Sequence, residues 1–185
     1  MEGLIDLMRW ANFNCEKTAE LLAQEKGNDS LGMTPLLEAA TLGLPSNMND
    51  LLAAGEDANI RHGSHELSLL DAATLMGHLE VVRVLLEQGV DVNSASQDGY
   101  TALLCAVHFG RADLLENVID MLLSAGADVD APLADGFTPL HLASTRRDCG
   151  DVTAILLQHG AAKDALNGNG RSPLHMAAEL SLIHI

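Results

Sequence analysis

The chain has 185 residues, 48% of them apolar but only 3% aromatic, and its 26 acidic against 10 basic residues give a formal charge of −16. That charge repels phosphate backbones and anionic bilayers, which argues against nucleic-acid and membrane-surface binding, and no apolar run approaches the roughly 18 residues of a membrane span. Cys15, Cys105 and Cys149 are odd in number, widely separated and without a C-x-x-C partner, so they encode neither a disulfide framework nor a zinc site.

Residues 1–30 open with Met1 and Glu2 rather than a basic-then-apolar leader, which with the cysteine pattern predicts a soluble protein of a reduced compartment, the cytoplasm or the nucleus. Within them Ile5, Leu7, Met8 and Trp10, then Ala19, Leu21, Leu22 and Ala23, predict two helices. From residue 31 the chain repeats itself. Gly32-Met-Thr-Pro-Leu-Leu-Glu-Ala-Ala, Glu66-Leu-Ser-Leu-Leu-Asp-Ala-Ala-Thr, Gly99-Tyr-Thr-Ala-Leu-Leu-Cys-Ala-Val, Gly136-Phe-Thr-Pro-Leu-His-Leu-Ala-Ser and Gly170-Arg-Ser-Pro-Leu-His-Met-Ala-Ala share one register. Their hydroxyl residues, Thr34, Ser68, Thr101, Thr138 and Ser172, are 34, 33, 37 and 34 residues apart. A second block follows each of the first four, as in Leu85-Leu-Glu-Gln-Gly-Val-Asp-Val-Asn.

Each recurring position has a local reason. The hydroxyl caps a helix whose first residue is Pro35, Pro139 or Pro173, where a missing N–H costs nothing. Leu36, Leu70, Leu103, Leu140 and Leu174, each with an alanine three residues on, make one apolar face. Gly43, Gly77 and Gly110 are expected to end these helices in the left-handed conformation. A second helix follows, clearest in the Val81, Val82, Leu85 and Leu86 stripe, and Asp98-Gly99, Asp135-Gly136 and Asn169-Gly170 mark hairpin turns.

The departures are also informative. The second unit carries Leu69 and Asp71 in place of proline and histidine, which predicts a weaker cap. The third unit's step of 37 carries four extra residues, close to one 3.6-residue turn, and predicts a second helix longer by a turn. The fourth gains a residue in Thr145-Arg-Arg-Asp-Cys-Gly, which predicts a longer loop between its helices.

The pattern G-x-T-P-L-H-x-A-A, then L-L-x-x-G-A-D-V-N, at a period near 33 resembles the ankyrin repeat over about Leu31 to Glu179. The resemblance implies an all-α solenoid of stacked helix-turn-helix hairpins with short β-hairpin loops. Repeats fall near 31–63, 64–95, 96–132 and 133–166, with a partial one at 167–179, and residues 1–30 form a divergent helical cap. The last six residues, Leu180-Ser-Leu-Ile-His-Ile, equal the translation of CTGTCTCTTATACACATC, a transposase recognition end used in sequencing libraries, and are expected to be a non-native tail at 180–185.

The same resemblance implies a non-catalytic scaffold, a monomer, binding another protein through hairpin tips and the inner face of the first helices. Carried over position by position, the partner-binding residues are Met33, Leu67, Tyr100 and Phe137 in one row, and Leu42, Met76 and Phe109 beside it. Contiguous apolar surface with aromatic anchors predicts a groove for an apolar helix or peptide, and a rim including Asp98 and Asp135 favours a basic partner. Thr41, Leu75, His108, Thr145, Arg146 and Arg171 share these positions. His141, His175 and His78 stand where the family uses imidazole to brace its turns. No cofactor, metal or catalytic motif is encoded: His62, His65, His108 and His159 lack ligand spacing, and Asn167-Gly-Asn-Gly170 is a turn. Two other readings fit the sequence. One is a targeting or regulatory arm of a longer enzyme; the other is an acidic inhibitor that masks a basic segment.

Overall fold

The computed structural model describes residues 34–62, 66–110, 114–146 and 150–182. The two helices expected before residue 31, and Met33, lie outside them. The described residues fall into two compact units that divide after Asp91.

In the first unit Thr34 starts α1 (Pro35–Leu42) by accepting the Leu37 N–H on its hydroxyl, and Gly43, at φ 69°, ends it. The chain returns through α2 (Pro45–Ala53) to a hairpin of β1 (Arg61–His62) and β2 (Leu67–Ser68), with Arg61 opposite Ser68 and His62 opposite Leu67. The next hairpin is α3 (Leu69–Met76) and α4 (Leu79–Glu87). Helix α3 packs on α1 and α4 packs on α2, so the two hairpins stack in parallel. Leu36, Leu37, Ala39 and Ala40 of α1 are buried along with Leu69, Leu70, Ala72 and Ala73 of α3, since alanines let the helices come close.

The second unit repeats the plan with α5 (Ala102–Phe109), α6 (Leu115–Ser124), α7 (Pro139–Ser144), α8 (Gly150–Gln158) and α9 (Pro173–Leu182). Helix α7 packs against α5, α8 and α9, and α6 against α5 and α8. Turns here lack paired strands but keep backbone bonds across each, among them Ser96 N–H to Tyr100 O at 2.8 Å, and Leu133 N–H to Phe137 O and Asn167 N–H to Arg171 O at 2.9 Å. Helix α9 packs mainly on α7, which leaves Leu174 76% exposed, whereas its register mate Leu140 is 3% exposed.

Three local expectations are corrected. The second repeat's cap is not weaker: Asp71 N–H donates to Ser68 Oγ and Ser68 N–H to Asp71 Oδ2, both at 3.0 Å, so two orphan donors are satisfied reciprocally. The third repeat's second helix is not a turn longer. Helix α6 has 10 residues against nine in α4, so it takes up one of the four extra residues and not a full turn. Gly110 is extended, at φ −60°, rather than left-handed. It must be glycine for a different reason, since a Cβ there would meet Ala106 O at 2.3 Å and Leu115 Cδ1 at 2.7 Å. In the fourth repeat α7 is shortened to six residues, and α8 begins at Gly150.

Candidate functional site

The histidines of the Thr-Pro-Leu-His segments are committed to backbone. The ring Nδ1 of His141 accepts the Thr138 N–H at 3.2 Å; the remaining proton is therefore on Nε2, which donates to Arg171 O of the next turn at 2.9 Å. His175 Nδ1 accepts the Ser172 N–H at 3.2 Å in the same manner, and His78 Nε2 donates to Thr41 O at 2.9 Å across the first unit's hairpins. Asp71 occupies the histidine position of its own repeat and is fully buried. Burial raises its carboxyl to about 6, against the lowering effect of its bonds to Ser68 and of the Arg61 charge.

The second block holds a row of bonds that sequence reading missed. Asn59 Oδ1 accepts the Asp91 N–H at 3.4 Å, Asn93 Oδ1 the Asp128 N–H at 2.7 Å, and Asp130 Oδ1 the Ala162 N–H at 2.9 Å. Asn93 Nδ2 also donates to Gly126 O at 3.1 Å. The signal was the Asn or Asp that ends the block in each of these units, a short acceptor placed to reach the loop one repeat on.

Of the candidate docking residues in the first unit, Leu42 and Met76 end two packed helices and are half-buried, whereas Leu67, in β2, is only 8% exposed. In the second unit Tyr100 is also 8% exposed, and Phe109 and Phe137 are half-buried. Leu67 and Tyr100 thus offer a partner little apolar surface of their own, because each packs down at the entrance to its helix.

The structure brings Tyr100, His108 and Phe109 together. The His108 and Phe109 ring centroids are 4.0 Å apart with planes 17° from parallel, Tyr100 stacks on His108 at 5.8 Å, and it tilts against Phe109 at 5.5 Å. Tyr100 Oη and His108 Nδ1 are hydrogen-bonded at 2.9 Å, which fixes the imidazole of an otherwise exposed residue. Phe137 instead leans on His141, 5.7 Å between centroids. Arg146 reaches back from the following link to Val107 O at 2.9 Å and Gly110 O at 3.2 Å, closing the carboxyl end of α5 with a cation where the helix dipole is negative.

Burial, then the Cys105 thiol and the Asp135 and Asp98 carboxylates, push the Tyr100 phenol above its ordinary value. Burial and the Arg146 charge push His108 below its own, with Asp135 opposing, which favours the neutral imidazole. Among the described residues no group of three His, Cys, Asp or Glu could hold a metal ion, and no helix is long and apolar enough to cross a membrane.

Residues 39–132 and 115–185 match the sequence pattern of the ankyrin repeats (3 copies). The chain is 36% identical over 110 residues to protein phosphatase 1 regulatory subunit 12A of Mus musculus, an overlap of 57% of this chain and 11% of that protein. It is also 39% identical over 71 residues to ankyrin repeat and SAM domain-containing protein 6 of Rattus norvegicus, covering 38% of this chain and 8% of the relative. The chain thus spans about a tenth of the length of these curated relatives.

Proposed function

The chain belongs to the ankyrin-repeat family, whose repeats bind other proteins, and from that premise we propose that it is a non-catalytic scaffold of the cytoplasm that holds its partner on the Tyr100, His108, Phe109 and Phe137 side of the second unit. One observation carries the reading. The chain has five aromatic residues, and three of them stand at recurrent positions around the entrance and exit of the first helices. Two of those, Phe109 and Phe137, keep exposed ring area, the usual form of a binding anchor. Leu42 and Met76 hold the corresponding positions of the first unit.

The test is affinity capture by the wild-type chain, by the Phe109→Ala, Phe137→Ala double variant, and by Glu116→Ala, which alters an exposed residue of a second helix. Far-UV circular dichroism verifies that all three fold. A partner kept by wild type and Glu116→Ala but weakened about 30-fold or more by the double variant supports the reading, that factor being the size of a hot-spot loss. Equal retention by all three removes it.

A second reading, a regulatory arm of a larger protein, is supported by the printed name of the mouse relative, a protein phosphatase 1 regulatory subunit, and by the small share of it that this chain spans. Sequencing the transcript beyond Glu179 decides whether a catalytic segment follows on the same chain.

A further inference from the structure

The aromatic cluster is not a plain apolar patch, because its rings and its charges are arranged together. His108 and Phe109 lie nearly parallel, Tyr100 backs them, and the bond from Tyr100 Oη keeps the imidazole from rotating, so a flat ring stands exposed on a fixed support. Two exposed carboxylates border it. Asp98 is in the turn that leads into Tyr100, Asp135 is in the equivalent turn of the next repeat, and the field of both reaches the phenol. Asp135 Oδ1 is held by the Phe137 N–H at 3.3 Å, which steadies the side chain and leaves lone pairs on both oxygens.

Such a surface selects its occupant. Ring faces carry negative quadrupole charge and attract cations, a neutral imidazole serves where a protonated one would repel, and carboxylates add direct attraction. Arg146, a described cation at this corner, is committed to the carbonyls of Val107 and Gly110. A planar guanidinium fits better than an ammonium, because it stacks on a flat ring while its edge meets a carboxylate in two bonds. We propose that the step formed by Tyr100, His108 and Phe109 receives an arginine side chain of the partner polypeptide, its guanidinium lying on His108 and its charge answered by Asp135 and Asp98. This rests on the reading that the partner docks on this side of the second unit, and it adds the chemistry of the residue that enters.

The probe is N-acetyl-arginine amide, titrated into the full chain with the His108 and Tyr100 ring resonances followed by NMR, beside the neutral isostere N-acetyl-citrulline amide and N-acetyl-lysine amide. The expected result is a saturable shift at both rings with the arginine compound, little with citrulline, and binding weakened about twofold to fivefold in Asp135→Asn, the range of an exposed ion pair. Asparagine keeps the acceptor for the Phe137 N–H, so the turn survives the change. Equal shifts with citrulline, no shift at His108, or unchanged binding in Asp135→Asn overturns the proposal, and an equal response to the lysine compound overturns the stacked arrangement. Failure here is distinct from failure of the docking reading, because partner capture is scored on Phe109 and Phe137 variants and this titration on His108 in the wild-type chain.

Discussion

Replacing Asp71 by asparagine is expected to flatten part of the pH dependence of stability. In the folded chain burial holds this carboxyl at about 6 rather than the 3.8 of an exposed one, while Ser68 donates to one oxygen and the other, Oδ1, has no hydrogen-bond partner. The folded state therefore binds the proton more tightly than the unfolded state. Stabilisation from this group is complete below about pH 4 and is lost as the pH rises through about 6, with nothing further lost above. The gap of roughly two units corresponds to about 3 kcal/mol at about 1.4 kcal/mol per unit. Asparagine keeps an acceptor for the Ser68 N–H but does not titrate. Urea denaturation followed by circular dichroism from pH 4 to pH 8 gives the difference between variant and wild type, in which the other carboxylates cancel. That difference should move by about 3 kcal/mol in favour of the variant as the pH rises, most of it between pH 4 and pH 6.5. A difference independent of pH would show that the buried carboxyl titrates normally and would refute the argument from desolvation.

Gly43→Ala is expected to cost about 2–4 kcal/mol, since it forces a side chain into a left-handed conformation and places Cβ 2.4 Å from His78 Nδ1, breaking the bond from His78 to Thr41 O. Gly55→Ala, also at positive φ but with no atom within 4 Å, should cost only the backbone strain of about 1–2 kcal/mol; equal losses in chemical denaturation would discount the His78 contact. Arg146→Ala should lower stability by about 1–3 kcal/mol by leaving the Val107 and Gly110 carbonyls without their cation, and should raise the His108 pKa, because a positive neighbour is removed. A proton NMR titration in which the His108 pKa falls would contradict this. Asn93→Ala removes two bonds to the next repeat's loop and should speed hydrogen exchange at the Asp128 amide at a cost of about 1–2 kcal/mol; an unchanged exchange rate would show that the loop does not depend on them.

The sequence by itself determined the repeat period, the hydroxyl caps at Thr34, Ser68 and Thr101, the left-handed glycines 43 and 77, and the turns at Gly99, Gly136 and Gly170. All of these are set within a few residues along the chain, by hydrogen bonds to the third residue on or by a dihedral angle that only glycine adopts freely. Tertiary structure decided the rest. Whether Asp71 weakened or completed a cap depended on its side chain turning back to the Ser68 N–H, how many of the extra residues entered α6 depended on where that helix begins, and Gly110 was required by a close approach rather than by its own dihedral. At the candidate site, the positions of Tyr100 and Phe137 could be read from the repeat, but not that the first would be buried against His108 and the second left beside His141. Those outcomes rest on contacts that the folded helix and the neighbouring turn create, and a periodic pattern fixes which face a side chain occupies without fixing what it meets there.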